Sequence, residues 1–359
     1  MKSKVIAFYL PQYHEIPENN VWWGEGFTEW TNVKKGKPLF KTHYQPKIPY
    51  GKKYYCLLDS KIQEWQSEIA LEAGIYGFCY YHYWFNGKLL LEKPAENMLK
   101  NSKIKIKFCM SWANEPWTKT WTGKNKEVLM PQRYGGEDEW RKHLEYLLPF
   151  FKDSRYILRN NRPVFLIYRA ENVYKCDEMI KYWEKILIKE GFDGIYIIET
   201  LTGWQNESML KYSNGVAAME PMYCFSKDIS FVERKWHTVI NKAKLHHFHI
   251  YNFYDYDRVW EKILAKKILT CKDVFYGAFL DWDNTARRGK KAIVVRGFTL
   301  EKFKLYFKRQ FEKSCDENKE YLFFNAWNEW SEGTYLEPDE KNGYEYLKII
   351  KEIVEMEKN

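Results

Sequence analysis

Two glutamates, Glu329 and Glu332, stand three residues apart in the stretch FFNAWNEWSEGTYLEPD, which runs from Phe323 to Asp339. Trp327 and Trp330 flank the first, and Gly333 follows the second. Paired carboxyls suit cleavage of a glycosidic bond, where one protonates the leaving oxygen and the other acts on the anomeric side. Three residues apart across a strand end or tight turn, they come within roughly 5–6 Å, the separation used by retaining enzymes. One of the two has to stay protonated near neutral pH. A neighbouring carboxylate and the adjacent Trp330 both push in that direction, by like charge and by desolvation. The same spacing also fits a capping turn ahead of a final helix. The elements around the pair must decide.

Eight short apolar runs recur along the chain, at 4–11, 75–84, 105–113, 162–169, 194–200, 215–223, 274–282 and 320–327. They are continuous rather than alternating, as in strands buried on both faces of a parallel sheet. Segments of helical periodicity lie between them. Residues 60–74 place Ile62, Trp65, Ile69 and Ala70 on one face and stop at Gly74. The stretches 136–151, 177–191, 301–315 and 344–358 read the same way, with weaker candidates at 89–101, 205–213 and 256–268. This alternation predicts an α/β fold, a (β/α)8 TIM barrel with long loops after strand 1 (12–59) and strand 6 (224–254). No low-complexity linker divides residues 1–359, so a single catalytic barrel domain is expected. An open doubly wound sheet is the competitor, but the first strand lacks the glycine-rich turn that such a fold carries.

Barrel enzymes keep their chemistry at the C-terminal ends of the strands. The first run ends in Gln12, Tyr13 and His14, and the second in His82, Tyr83, Trp84 and Asn86. The third ends in Trp112, Asn114 and Glu115, the fourth in Tyr168 and Arg169, the fifth in Glu199 and the sixth in Glu220. Asp281 and Asp283 close the seventh, ahead of Arg287 and Arg288, and Asn328 and Trp330 accompany the glutamates after the eighth. Acids beside Trp and Tyr suit sugars, which offer a C–H face to the ring and hydroxyls to the polar groups. We therefore take Tyr13, His14, His82, Tyr83, Trp84, Trp112, Asn114, Glu115, Arg169, Glu199, Glu220, Asp281, Asp283, Arg287, Arg288, Asn328 and Trp330 as candidate substrate contacts. Bland alternatives stand beside several of them. Glu115 also reads as a structural cap, and His14 and His82 as satisfied core histidines. Arg287 and Arg288 could grip a diphosphate or belong to a plain basic loop.

Composition narrows the classes. Aromatic residues make up 18% of the chain, with 16 Trp, 28 Tyr and 22 Phe. Net charge is +9 with a pI near 8.9. The lysines are spread rather than blocked, and no zinc-finger or RNA-binding signature occurs, which argues against nucleic acid. Peripheral association with an anionic membrane surface is compatible with this charge, as is a plain solvated surface. Asp281 to Asn284 read DWDN, part of a calcium loop without its glycine and distal glutamate, and no zinc spacing is present. We expect no metal. The seven cysteines are odd in number and form no CxxC, and the N-terminal run is too short for a signal peptide. A cytoplasmic location is the expectation. Nothing in the sequence reports on oligomeric state.

Several motifs together resemble a known family. They are IAFYLPQYHEIPENNVWWGEGFTEWTNV, GFCYYHYWFNGK, SWANEPWTKTW, DNTARRG and AWNEWSEGTYLEPD. They are similar to the WbsX-like proteins of bacterial surface-polysaccharide gene clusters (O-antigen and capsule), relatives of glycoside hydrolase family 99. The resemblance runs from residue 5 to about 350. It implies a (β/α)8 barrel, cleavage of α-mannosidic linkages with retention, and no metal or organic cofactor. It also implies roles for the pair. Glu329 would act as base on the substrate 2-hydroxyl, giving a 1,2-anhydro sugar, and Glu332 as general acid and then base. Ser331 stands where the mannosidases carry histidine, a departure that bears on the substrate. The branch is also labelled glycosyltransferase, so transfer to a lipid-linked acceptor stays open beside hydrolysis and transglycosylation. A non-catalytic glycan-binding barrel is the third reading. The implied partner is a glycan or a lipid- or nucleotide-linked sugar.

Overall fold

The eight apolar runs form eight parallel strands in the computed structural model, which describes residues 2–119, 127–203, 207–227 and 252–356. They are β1 (Lys4–Tyr9), β2 (Gly77–Phe85), β3 (Lys107–Trp112), β4 (Arg162–Ile167), β5 (Tyr196–Leu201), β6 (Gly215–Ala218), β7 (Asp273–Phe279) and β8 (Tyr321–Asn325). Each pairs with the next in chain order, from β1 through to β8. The ring closes because β1 also pairs with β8, with Val5 opposite Leu322. Closure excludes the open sheet and leaves no free edge on these strands. Every residue of β2, β5, β6 and β8 is buried, which is why those runs carry no polar alternation.

Among the described residues, seven helices of eight or more residues wrap the barrel: α1 (Ser60–Glu72), α2 (Lys93–Lys100), α3 (Glu137–Phe151), α4 (Cys176–Lys189), α5 (Tyr256–Ala265), α6 (Leu300–Asp316) and α7 (Glu345–Met356). Local chemistry starts them. Asp59 accepts the Lys61 N–H at 2.9 Å, Asp255 the Arg258 N–H at 3.0 Å, and Thr299 the Lys302 N–H at 3.2 Å. Glu137, Asp138 and Glu139 fill the first turn of α3, where the helix dipole favours negative charge. Phe303, Phe307 and Phe311 lie four apart on α6 and are fully buried. Each contributes about 1.5–3 kcal/mol by leaving water, and truncating Phe307 to alanine would open a cavity where it meets Phe324.

The weak helix candidate at 205–213 does not form in its described part, residues 207–213. The reason is a competing acceptor. Glu199, at the end of β5, accepts the Met209 N–H at 2.7 Å and the Leu210 N–H at 3.3 Å. Asp177 accepts the N–H groups of Lys211 and Tyr212 at 3.1 and 2.9 Å. Backbone donors that a helix would need are spent on these carboxylates. The loop after β1 carries the short helices Pro17–Trp23 and Glu29–Lys35 across the C-terminal end of the barrel. Most of the long loop after β6, at 228–251, lies outside the described residues. Among the described residues, no helix is long and apolar enough to cross a membrane.

Candidate active site

The chain beyond β8 makes the turn that carries the two glutamates. Asn328 and Glu329 pair antiparallel with Thr334 and Tyr335, and Trp330–Glu332 form one tight helical turn between them. Gly333 closes it at φ +66, and a Cβ there would meet the Asp283 backbone at 2.9 Å. Only glycine fits both demands. The turn is fastened below. Asn328 exchanges two hydrogen bonds with the Leu10 backbone, at 2.7 and 3.0 Å. Trp330 stacks on Tyr335 at 3.8 Å and donates to the buried Glu337 at 2.6 Å. Tyr55 and Gln66 also donate to Glu337, at 2.7 and 2.6 Å.

Above the turn sits Arg287, on the short helix Thr285–Arg288 that follows β7. Its Nη1 lies 2.5 Å from Glu332 and its Nη2 3.1 Å from Glu329. Its Nε and Nη2 also reach one oxygen of Glu29, at 2.8 and 2.7 Å. One guanidinium thus holds three carboxylates, and it keeps Glu329 and Glu332 close together. Burial pushes Glu329 up to about 8, with Arg287 opposing and the charges of Glu332 and Glu29 assisting. Glu332 is raised too, again by burial first, with Arg287 opposing. Three anions against one cation in a dry site favour one proton retained between the pair.

Both glutamates and Arg287 face a cavity of about 290 Å³, near the lower end of small-molecule sites. Its other walls come from residues just past the strands: Leu10 and Gln12 after β1, Ala113 and Glu115 after β3, Tyr168 after β4 and Met219 after β6. Tyr81 and Tyr83 reach it from β2, Trp23 and Phe27 from the loop after β1, and Trp117 from the hairpin that follows β3. Burial raises the Tyr81, Tyr83 and Tyr168 hydroxyls well above 10, so they remain neutral donors. Aromatic faces, neutral hydroxyls and a proton-carrying carboxyl pair are the fittings a sugar ring needs for binding and for acid–base attack at its anomeric carbon.

Of the residues singled out from the sequence, Gln12, Tyr83, Glu115, Tyr168, Arg287, Glu329 and Glu332 line this cavity. Glu115 is held from behind by Arg169 at 2.5 and 2.7 Å, and Arg169 is anchored in turn by Thr202 at 3.1 Å. Arg288 is exposed, and its charge acts on Glu332. The diphosphate grip expected of Arg287 and Arg288 is therefore half spent, because Arg287 is occupied by carboxylates. The remaining residues point elsewhere. Tyr13 is buried under Trp30 and donates to the Asn328 carbonyl. His14 bonds the Pro11 carbonyl at 3.0 Å, and burial lowers its pKa. His82 meets His143 of α3 at 2.9 Å, and burial takes it down to about 3. Trp84 stacks on His143 at 4.7 Å, and Trp112 donates to the Trp84 carbonyl at 3.1 Å. Asn114 clamps the Arg169 backbone with two bonds of 2.8 Å. Glu199 ties down residues 208–213, while Glu220 pairs with Lys266 at 2.7 Å. Asp281 lies 3.7 Å from Lys47. Asp283 is pushed up by burial, but bonds from His43 at 2.7 Å and Thr285, with the Lys47 charge, bring it down to about 2. Asn328 and Trp330 are the fasteners already described.

Glu29, Trp23, Phe27, Tyr81 and Trp117 were not among the candidates. For Tyr81 a signal exists. Successive residues of a strand face opposite ways, so if Tyr83 faces the cavity then Tyr81 does, and His82 and Trp84 face α3. Glu29 repeats the Glu-Trp dipeptide of Glu329-Trp330, and the two tryptophans meet at 5.5 Å. Among the described residues, no group of three or more His, Cys, Asp or Glu could hold a metal ion.

A relative from Xanthomonas campestris pv. campestris strain B100, the uncharacterized protein WxcX, is 29% identical over 359 residues, covering 97% of this chain and 49% of that protein. The chain spans about half the length of the curated relatives it matches. Among solved structures, the family 99 endo-alpha-mannosidase of Bacteroides thetaiotaomicron superposes with a TM-score of 0.57 at 14% identity, over 99% of this chain and 98% of that one. A glycoside hydrolase-like protein gives 0.58 at 14% identity, over 98% and 94%. At such identities the likeness is one of fold, the barrel described above. The model of the family described as Glycosyltransferase WbsX matches residues 5–350, and the chain belongs to that family.

Proposed function

We propose that this chain is a carbohydrate-active enzyme that breaks and remakes a glycosidic bond in bacterial surface-polysaccharide metabolism, with Glu329 and Glu332 as its catalytic pair and residues 1–359 acting as one catalytic unit. The observation that carries the reading is the carboxyl pair held on a single guanidinium at the floor of an aromatic-walled cavity. The two carboxyls meet one guanidinium, at 2.5 and 3.1 Å, and the family resemblance implies the retaining class.

The roles follow the family resemblance. Glu329 takes the proton of the 2-hydroxyl as that oxygen attacks C1, and Glu332 gives its proton to the departing glycosidic oxygen. A 1,2-anhydro sugar results. Water or an acceptor hydroxyl then attacks C1, passing its proton to Glu332, while O2 leaves C1 and recovers its proton from Glu329. Each positioned proton transfer is worth roughly 10²–10⁴ in rate. Burial raises both carboxyls, Glu329 to about 8, so the pair retains a proton near neutral pH; the cycle starts with that proton on Glu332 and Glu329 ionised. We place the enzyme in the cytoplasm, acting on a lipid- or nucleotide-linked sugar. In support, none of the seven cysteines forms a disulfide.

The exposed Arg288 beside Glu332 favours a second reading, transfer from a diphosphate-activated donor to a lipid-linked acceptor. One experiment separates the two. Wild-type protein is incubated with α-mannosides bearing good leaving groups, alone and with acceptor sugars, and in parallel with nucleotide sugars. Products are followed by mass spectrometry. Release or transfer from the simple mannosides supports the glycosidase-type pair, and strict dependence on a nucleotide sugar supports the transferase. Glycan binding without any turnover by wild type would leave only the non-catalytic barrel.

A further inference from the structure

Glu29 is the one carboxylate of the three around Arg287 that does not line the cavity. It opens the short helix Glu29–Lys35, is fully buried, and its backbone N–H is fixed to the Gln12 carbonyl at 2.9 Å. One of its oxygens takes the Nε and Nη2 of Arg287, at 2.8 and 2.7 Å, together with the Ser331 hydroxyl. The other takes the Asn32 amide at 3.4 Å. Two consequences follow. That oxygen anchors the Nε–Nη2 edge of the guanidinium, and from that anchor Nη1 meets Glu332 while Nη2 meets Glu329. The charge of Glu29 also offsets the cation that would otherwise neutralise the pair.

We propose that Glu29 is a positioning residue: it holds Arg287 across both glutamates and sets its own charge against that cation. Ser331, lying between Glu329 and Glu332 in sequence, completes the latch by donating to Glu29. The idea rests on the catalytic reading of the pair for its consequence, but not for its test. The charged and titratable groups around Glu329 and Glu332 include Glu29, Arg287 and Arg288, with Glu115 on the wall of the same cavity and the neutral hydroxyls of Tyr13, Tyr81, Tyr83 and Tyr168 nearby. Glu29 is the added anion on Arg287. Its removal lowers the pKa of the pair, since an anion disfavours ionisation of its neighbours.

The test reads titration, not turnover. Protein carrying ¹³Cδ-labelled glutamate is titrated by NMR as wild type, Glu29→Gln and Glu29→Asp, with Glu329→Gln and Glu332→Gln assigning the signals. In Glu29→Gln the pair is expected to titrate about one pH unit or more lower; in Glu29→Asp, which keeps the charge, it stays within about half a unit of wild type. An unmoved pair in Glu29→Gln overturns the proposal. If that variant does not fold, Glu29→Asp decides alone, and a displacement of a full unit there overturns it. Where wild type turns over a glycoside, the alkaline limb of the Glu29→Gln pH–rate profile shifts down by the same amount. A wild type with no glycosidase activity would sink the functional reading while leaving the titration result standing.

Discussion

Around the turn after β8, two carboxylates of that turn and Glu29 from the loop after β1 crowd the guanidinium of Arg287 beside an open cavity. After β2 and β3, two imidazoles and two indoles pack on each other against α3, where His82, His143, Trp84 and Trp112 lie at ring distances of 4.7–6.4 Å. The first region holds buried charge that opposes folding unless every group is paired. The second holds aromatic surface that drives folding and exposes little of it. Both sit at strand ends and both are rich in residues able to do chemistry. What separates them is direction: one faces the axis of the barrel, the other the helices.

The comparison can be broken by substitution. The largest effect is expected from Glu332→Gln or Glu329→Gln, each lowering turnover by about 10³-fold. Their folds should survive, because glutamine keeps the shape and removes a buried charge; urea unfolding alongside initial rates checks both halves. Next is Arg287→Ala. It strands Glu29 and the pair without a counterion and should cost about 3–5 kcal/mol in urea denaturation. A loss under 1 kcal/mol would mean the carboxylates are already neutral. On the other side, Trp112→Ala should cost about 3–5 kcal/mol of stability by leaving a cavity, yet retain turnover per folded molecule. Turnover lost faster than fold there would place Trp112 in the site.

The smallest effect concerns pH. His82 titrates near 6.5 when unfolded and near 3 when folded, because burial disfavours its cation. Between those values the unfolded chain binds the extra proton. The contribution is therefore full above pH 6.5 and is lost as pH falls toward 3, at about 1.4 kcal/mol per unit. His82→Phe should reduce the loss of stability between pH 6.5 and 5 by about 2 kcal/mol, whatever its constant offset. Equal slopes for variant and wild type would show that His82 is not buried neutral.

The same contrast explains what could be read in advance. Continuous apolar runs mark strands buried on both faces, so β2 and β8 were legible from composition and length. The glutamate pair was legible because its spacing is local. Facing is subtler: His82, Tyr83 and Trp84 look equally suited to a sugar, and only the two-residue period of a strand sends Tyr83 inward with Tyr81 and turns the other two toward α3. Glu29 was hidden for a different reason. It meets Arg287 across 258 residues of sequence, and no local pattern announces such a pairing. The segment 207–213 reads as helical until Glu199 and Asp177 compete for its backbone donors.

Whether Glu329 and Glu332 act together as a retaining pair is read most directly from the configuration of the first product. An α-mannoside that wild type accepts is cleaved inside an NMR tube, and the anomeric proton is watched before mutarotation sets in. The α-anomer is expected first, and Glu329→Gln and Glu332→Gln are expected to produce neither anomer at a measurable rate. A β-anomer appearing first, or cleavage undiminished in either variant, would contradict the retaining pair.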